Sequence, residues 1–173
     1  IWLNRSQLRA LPTDLPDKVS EFECEYNRLT SLKGCSEYMF GSFDCQQNQL
    51  TSLLHGPKYV AKSYICSHNK LTDVLYVQEQ VEFNFSCHHN KITTLVGGPK
   101  RVGYTYSCQD NKLTSLEGIA ICQSIDASNN LLSNLHDIHN ILTFPIANID
   151  LSGNPIKSHI LGLLMMRITG QII

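Results

Sequence analysis

The sequence shows no excess of charge of either sign: 14 Lys and Arg stand against 15 Asp and Glu, for a formal net charge of −1 and a pI of about 6.7. Without a broad electrostatic field, neither nucleic acid nor an anionic membrane surface is favoured as a partner. Long apolar runs are also missing. The longest, around Ile160 to Met166, falls well short of the roughly 20 residues needed to cross a bilayer, so no transmembrane helix is expected. The chain opens at Ile1 without a methionine and without a basic segment leading into an apolar core and a cleavage site, which leaves processing or a missing N-terminal part open. The phosphate-cradling Gly-x-x-x-x-Gly-Lys pattern, a nucleophile elbow and the metalloprotease helix motif are absent. With no room for an appended catalytic domain, the expectation is a protein that is not an enzyme and uses no cofactor. What remains, 173 residues at 42% hydrophobic and 17% charged, suits one ordinary folded domain spanning 1–173.

A repeat dominates the chain. Cys24, Cys45, Cys66, Cys87 and Cys108 recur every 21 residues, and each is followed three residues later by Asn27, Asn48, Asn69, Asn90 and Asn111. Two residues before each cysteine stand Phe22, Phe43, Tyr64, Phe85 and Tyr106; after the asparagines come Leu29 and Leu32, Leu50 and Leu53, Leu71 and Val74, Ile92 and Leu95, then Leu113 and Leu116. The register continues with drift through Leu3, Ser6, Leu8 and Leu11 upstream, and through Ala127, Asn130, Leu132, Leu135, Leu151, Asn154 and Ile156 downstream. That makes about eight units, with 1–17 a partial N-terminal repeat.

The pattern aromatic-x-Cys-x-x-Asn-x-Leu-x-x-Leu resembles the leucine-rich-repeat family over nearly the whole chain, with aromatics and cysteine in place of the strand leucines. Leu-Leu-His-Gly-Pro-Lys-Tyr-Val at 53–60 and Leu-Val-Gly-Gly-Pro-Lys-Arg-Val at 95–102 are similar to the short repeats of tailed-bacteriophage and bacterial proteins, and Leu-Pro-Thr-Asp-Leu-Pro at 11–16 is similar to bacterial effector repeats. The resemblance implies an α/β-class repeat solenoid with a curved parallel sheet. It also implies a phage or bacterial factor that binds a host protein.

Local physics leads to the same architecture. The alternation in Phe22-Glu23-Cys24-Glu25 is that of a half-buried strand. A 21-residue unit cannot bury its apolar face alone, so units stack, one short strand each, with roughly 5 Å between strands. Each asparagine then lies where its strand turns away, and its amide can satisfy backbone groups that would otherwise be buried unpaired. Gly-Pro and Gly-Gly-Pro keep the convex side extended and turn-rich. Leu135, Ile138, Ile141 and Leu142 have helical spacing, and Asn154-Pro155 begins a second helical pattern through Ile160, Leu161, Leu164, Met165 and Ile168, so a capping helix is expected within 155–173. That helix offers an alternative role: a structural or assembly component that self-associates into a homo-oligomer through it.

Five of the seven cysteines occupy the inward strand position, where a small apolar side chain fits the core; Cys-x-x-Cys pairs are lacking and the total is odd. A thiol column suits a reducing compartment, so a cytoplasmic location in a bacterial or phage-infected cell is expected. The outward face carries the candidate contacts for a protein partner. Early strands present Glu21, Glu23, Glu25, Tyr26 and Asp44; the middle ones present Gln46, Gln47, His68, His88 and His89, then Asp110. An acidic patch grading into a polar, histidine-rich one is expected. The second residue after each cysteine reads Tyr26, Gln47, His68, His89, Asp110, so stacking would place His68 and His89 side by side with Asp110 one strand on and His88 beside them. Two imidazoles and a carboxylate can ligate zinc. The plainer reading, a polar patch or part of a protein interface with no metal, is preferred from sequence.

Overall fold

The computed structural model describes residues 1–135, 146–157 and, as backbone, 171–172. Each complete repeat contributes two strands rather than the one expected. In chain order these are β1 (Lys18–Val19) and β2 (Phe22–Glu23), β3 (Tyr38–Met39) and β4 (Phe43–Asp44), β5 (Tyr59–Val60) and β6 (Tyr64–Ile65), β7 (Gln80–Val81) and β8 (Phe85–Ser86), then β9 (Arg101–Val102) and β10 (Thr105–Ser107). Single strands β11 (Ser124–Asp126), β12 (Asn148–Asp150) and β13 (Gln171–Ile172) follow. The second members of the pairs and the last three strands form one parallel sheet, ordered β2-β4-β6-β8-β10-β11-β12-β13 from the N-terminal end. The first members form the short parallel sheets β1-β3-β5 and β7-β9, which bury Val19, Met39, Val60, Val81 and Val102. The break between these two falls where Gln78 occupies the position held by Pro57 one repeat earlier and Pro99 one repeat later. Its side-chain amide accepts from the Val60 N–H at 2.6 Å and donates to the Val60 carbonyl at 2.7 Å, so a side chain closes the gap that strand pairing leaves.

No helix occurs among the described residues. The expected capping pattern at 160–168 and most of the pattern at 135–142 lie outside them. Leu135 is a buried non-helical residue, and Gln171–Ile172, expected within the cap, pairs with Asn148–Ile149 as a further strand of the main sheet. The described part is therefore all-β rather than α/β.

Register turns the 21-residue period into columns. Phe22, Phe43, Tyr64, Phe85, Tyr106, Ile125 and Ile149 lie opposite one another in successive strands, all buried. Neighbouring aromatic rings meet at centroid distances of 5.0 to 6.0 Å in tilted or edge-on contact, the geometry that aromatic quadrupoles favour. Cys24, Cys45, Cys66, Cys87 and Cys108 form the adjacent column with no solvent exposure, and burial holds their thiols far above the usual range. They are packing groups, not nucleophiles.

The asparagines fasten one turn to the next. In Asn69, Oδ1 accepts the Leu50 N–H at 2.9 Å while Nδ2 donates to the carbonyl of Cys45 at 3.0 Å and to that of Cys66 at 3.2 Å. Asn48, Asn90, Asn111, Asn130 and Asn154 repeat this arrangement, each bonded to its own turn and the preceding one. A shorter-range column, Ser31, Ser52, Asp73, Thr94 and Ser115, accepts the N–H two residues on and starts each return turn.

Two stability predictions follow from these columns. Asn69→Ala leaves the Leu50 N–H buried without a partner and the Cys45 carbonyl with the Asn48 amide alone, and should cost about 1–3 kcal/mol; an unchanged midpoint in urea titration would show that water replaces the amide. Conversely, the buried Tyr64 and Tyr106 hydroxyls have no hydrogen-bond partner among the described residues, and phenylalanine fills the same column at 22, 43 and 85. Tyr64→Phe and Tyr106→Phe should each raise stability by about 1 kcal/mol, and a loss measured by the same titration would reveal a bonded hydroxyl.

Candidate functional site

Alternation along each main-sheet strand puts the aromatic and cysteine inward and the residues between and after them outward. Before the cysteine position, the outward column reads Glu23, Asp44, Ile65, Ser86, Ser107, Asp126 and Asp150. The face is therefore acidic at both ends and neutral in the middle, not graded in one direction; Asp126 and Asp150, which sequence reasoning did not place here, close the second acidic end. Their signal was available. Asp44, Asp126 and Asp150 each accept the N–H two residues on, at 2.9, 3.1 and 2.8 Å, a turn that aspartate makes readily.

The acidic end is less open than its composition implies. Glu21, Glu23 and Glu25 are half-buried and Tyr26 is exposed. Asn4 donates to Glu23 Oε2 at 2.9 Å, and the Arg5 guanidinium lies 4.8 Å from the centre of the Tyr26 ring. Asp44, expected as a surface contact, is only 9% exposed. Burial pushes its carboxyl up to about 7, and the neighbouring Glu25 adds to the rise, while the Gln46 backbone and side-chain N–H groups oppose it. Gln46 and Gln47 are half-buried. In the middle of the face, small side chains such as Ser63, Ser86 and Ser107 leave a shallow depression of about 420 Å³ bordered by Gln46 and His88.

The next outward column lies where each strand ends, and its backbone is left-handed throughout. Tyr26, Gln47, His68, His89, Asp110 and Asn129 have φ between 52° and 55°, and Gly153 continues the column at 69°. Such a conformation costs a non-glycine residue roughly 1–2 kcal/mol, least for Asn and Asp. Asp110, Asn129 and Gly153 carried the sequence signal for it. The structure brings His68, His88 and His89 together: the rings of His68 and His89 stack at 4.3 Å, and His88 sits 5.0 Å from both, edge-on. His88 Nδ1 and His89 Nδ1 are 2.9 Å apart, and Asp110 Oδ2 lies 3.5 Å from His89 Nε2. Partial burial, then the neighbouring imidazoles, hold His68 and His88 below the usual histidine range, so both rings are neutral at pH 7.

Stacked short strands, an asparagine ladder and leucine columns define a leucine-rich-repeat solenoid. Among solved structures the chain resembles a leucine-rich-repeat protein of Leptospira interrogans, with a TM-score of 0.61 and 19% identity over 90% of this chain. It spans 48% of that protein's chain, about half its length, and the likeness is one of fold. No family model and no curated protein matches the sequence. Among the described residues, no helix is long and apolar enough to cross a membrane.

The raised Asp44 carboxyl generates a pH prediction. The folded state holds this proton up to about pH 7, against an ordinary value of 3.8, so the folded chain binds more protons than the unfolded one in that interval. Its stability should fall as pH rises from about 4 to about 7. Asp44→Asn should be more stable than wild type above pH 7, with the advantage vanishing near pH 4 in urea titrations. An advantage that stays constant across that range would place Asp44 in contact with water.

Proposed function

We propose that the chain is a non-enzymatic protein-binding module that recognises its partner through the outward face of the main sheet. One observation carries this reading: the inward columns and the ladder repeat from turn to turn, whereas the outward columns Glu23, Asp44, Ile65, Ser86, Ser107 and Tyr26, Gln47, His68, His89, Asp110 vary along the sheet, each keeping the same residue across a single step. A varied patchwork on a uniform support suits recognition of one protein surface. The contacts assigned are Glu21, Glu23, Glu25, Tyr26, Gln46, Gln47, His68, His88, His89 and Asp110, with Asp44 supporting from beneath. The acidic end favours a basic patch on the partner. Seven free thiols, five of them in one column, fit a reducing cytoplasm, and the Leu-x-Gly-x-Pro connections fit a phage or bacterial factor acting on a host protein.

Affinity capture from bacterial lysate, read by mass spectrometry, tests this. The triple variant Glu21→Lys, Glu23→Lys, Glu25→Lys should lose the captured protein and the salt dependence of its capture. Undiminished capture by the folded triple variant would remove the acidic end from the interface.

A further inference from the structure

We propose that His68, His88 and His89 bind a single divalent transition-metal ion of the zinc type. His68 and His89 occupy one column in successive turns, and His88 precedes His89 on the same strand end, so three imidazoles share one spot on the outward face. One ring nitrogen from each lies within 4.8 Å of the other two. A tetrahedral zinc site with Zn–N bonds of about 2.0–2.1 Å needs its nitrogens about 3.3 Å apart. The His88 and His89 Nδ1 atoms are already closer than that, at 2.9 Å. The remaining nitrogen has about 1–1.5 Å to travel, within reach of a small side-chain rotation in half-exposed His68.

The His88 and His89 rings turn Nδ1 toward each other at 2.9 Å, so two nitrogen donors already face one point that a cation can occupy with a third ring added. The backbone beneath is tied down: the His68 N–H donates to the His88 carbonyl at 2.9 Å, and the His89 N–H donates to the Gln109 carbonyl at 3.1 Å. Asp110 sits on the far side of His89, its carboxylate 3.5 Å from Nε2. A small movement would let it accept the Nε2–H and leave Nδ1 to face the ion, the usual outer partner of a metal-bound histidine. Asp110 is thus a positioning residue instead of the ligand that column order alone suggests, and His88 takes the third ligand place.

The donor set selects the ion. Three imidazole nitrogens suit Zn²⁺, Ni²⁺ or Cu²⁺, whereas Ca²⁺ and Mg²⁺ require oxygen-rich shells that this spot lacks. Three protein ligands leave a fourth position facing outward, open to water or to a donor from a bound protein.

The test is calorimetric titration of zinc into the chelator-stripped full chain, with the visible absorption of Co²⁺ reporting coordination geometry. Wild type should bind one equivalent of zinc and give an intense tetrahedral cobalt spectrum. His68→Ala and His88→Ala should each weaken binding at least tenfold and bleach that spectrum, Asp110→Asn should weaken binding about 10–100-fold, and His55→Ala, outside the cluster, should change nothing. Circular dichroism confirms folding of each variant, since all four side chains are at least partly solvent-facing. The proposal fails if wild type takes up no zinc, if His68→Ala and His88→Ala bind as wild type does, or if His55→Ala abolishes binding.

Discussion

Everything in this molecule depends on the asparagine amide bonded to two successive turns at once. A 21-residue unit has too little apolar surface to fold alone, and the chain reversal after each strand buries N–H and C=O groups that no strand partner reaches. Asn69 satisfies Leu50, Cys45 and Cys66 together, so it serves both as a turn residue and as the link between repeats. Because the link joins equivalent positions, a unit of different length must re-enter the same register. Asn130 does so after a spacing of 19, and Asn154 after one of 24, each keeping the same set of bonds.

Stacking at this spacing has a cost: whatever one repeat places on the face, the next places alongside. Acidic groups on neighbouring strands add to the cost of burial: burial pushes the Asp44 carboxyl up to about 7, and Glu25 on the preceding turn adds to the rise. The interior avoids the problem with neutral groups, using aromatics that tilt against one another and thiols that burial keeps protonated. Outside, histidine meets the constraint by stacking its planar rings, as His68 and His89 do at 4.3 Å in successive turns of one column.

Much of this was legible because the columns are written in sequence at one period. Cys24 to Cys108 and Asn27 to Asn111 specified parallel stacking, the inward faces and the ladder, and the outward positions follow by alternation. The second set of strands was not legible, since Tyr59–Val60 or Arg101–Val102 is too short for alternation to register and is defined only by its neighbour one turn away. Gln78 was hidden for a similar reason: its role arises from a missing proline. Asp44 read as surface because its strand position is outward; it is nonetheless buried, with Gln46 hydrogen-bonded to it and Glu25 beside it, contacts that strand alternation does not carry. Whether residues bordering a bend converge or splay also needed the left-handed backbone at His68 and His89, for which Asp110, Asn129 and Gly153 are the clue in sequence.

The left-handed column explains why chemistry concentrates at that edge. A residue just before the ladder asparagine must turn the chain, and positive φ swings its side chain away from the strand direction toward the neighbouring strand end. Glycine would make the turn with least strain, as Gly153 does, and Asp or Asn with little more. Tyr26, Gln47, His68 and His89 accept a larger backbone penalty, and nothing inside the core requires those side chains, because the ladder bonds form equally above Gly153 and above His68. Strain retained where packing does not demand it points to a use for the side chain itself. On this solenoid that use is outward contact, and the histidines add to it a group of nitrogen donors that a single ion can draw together.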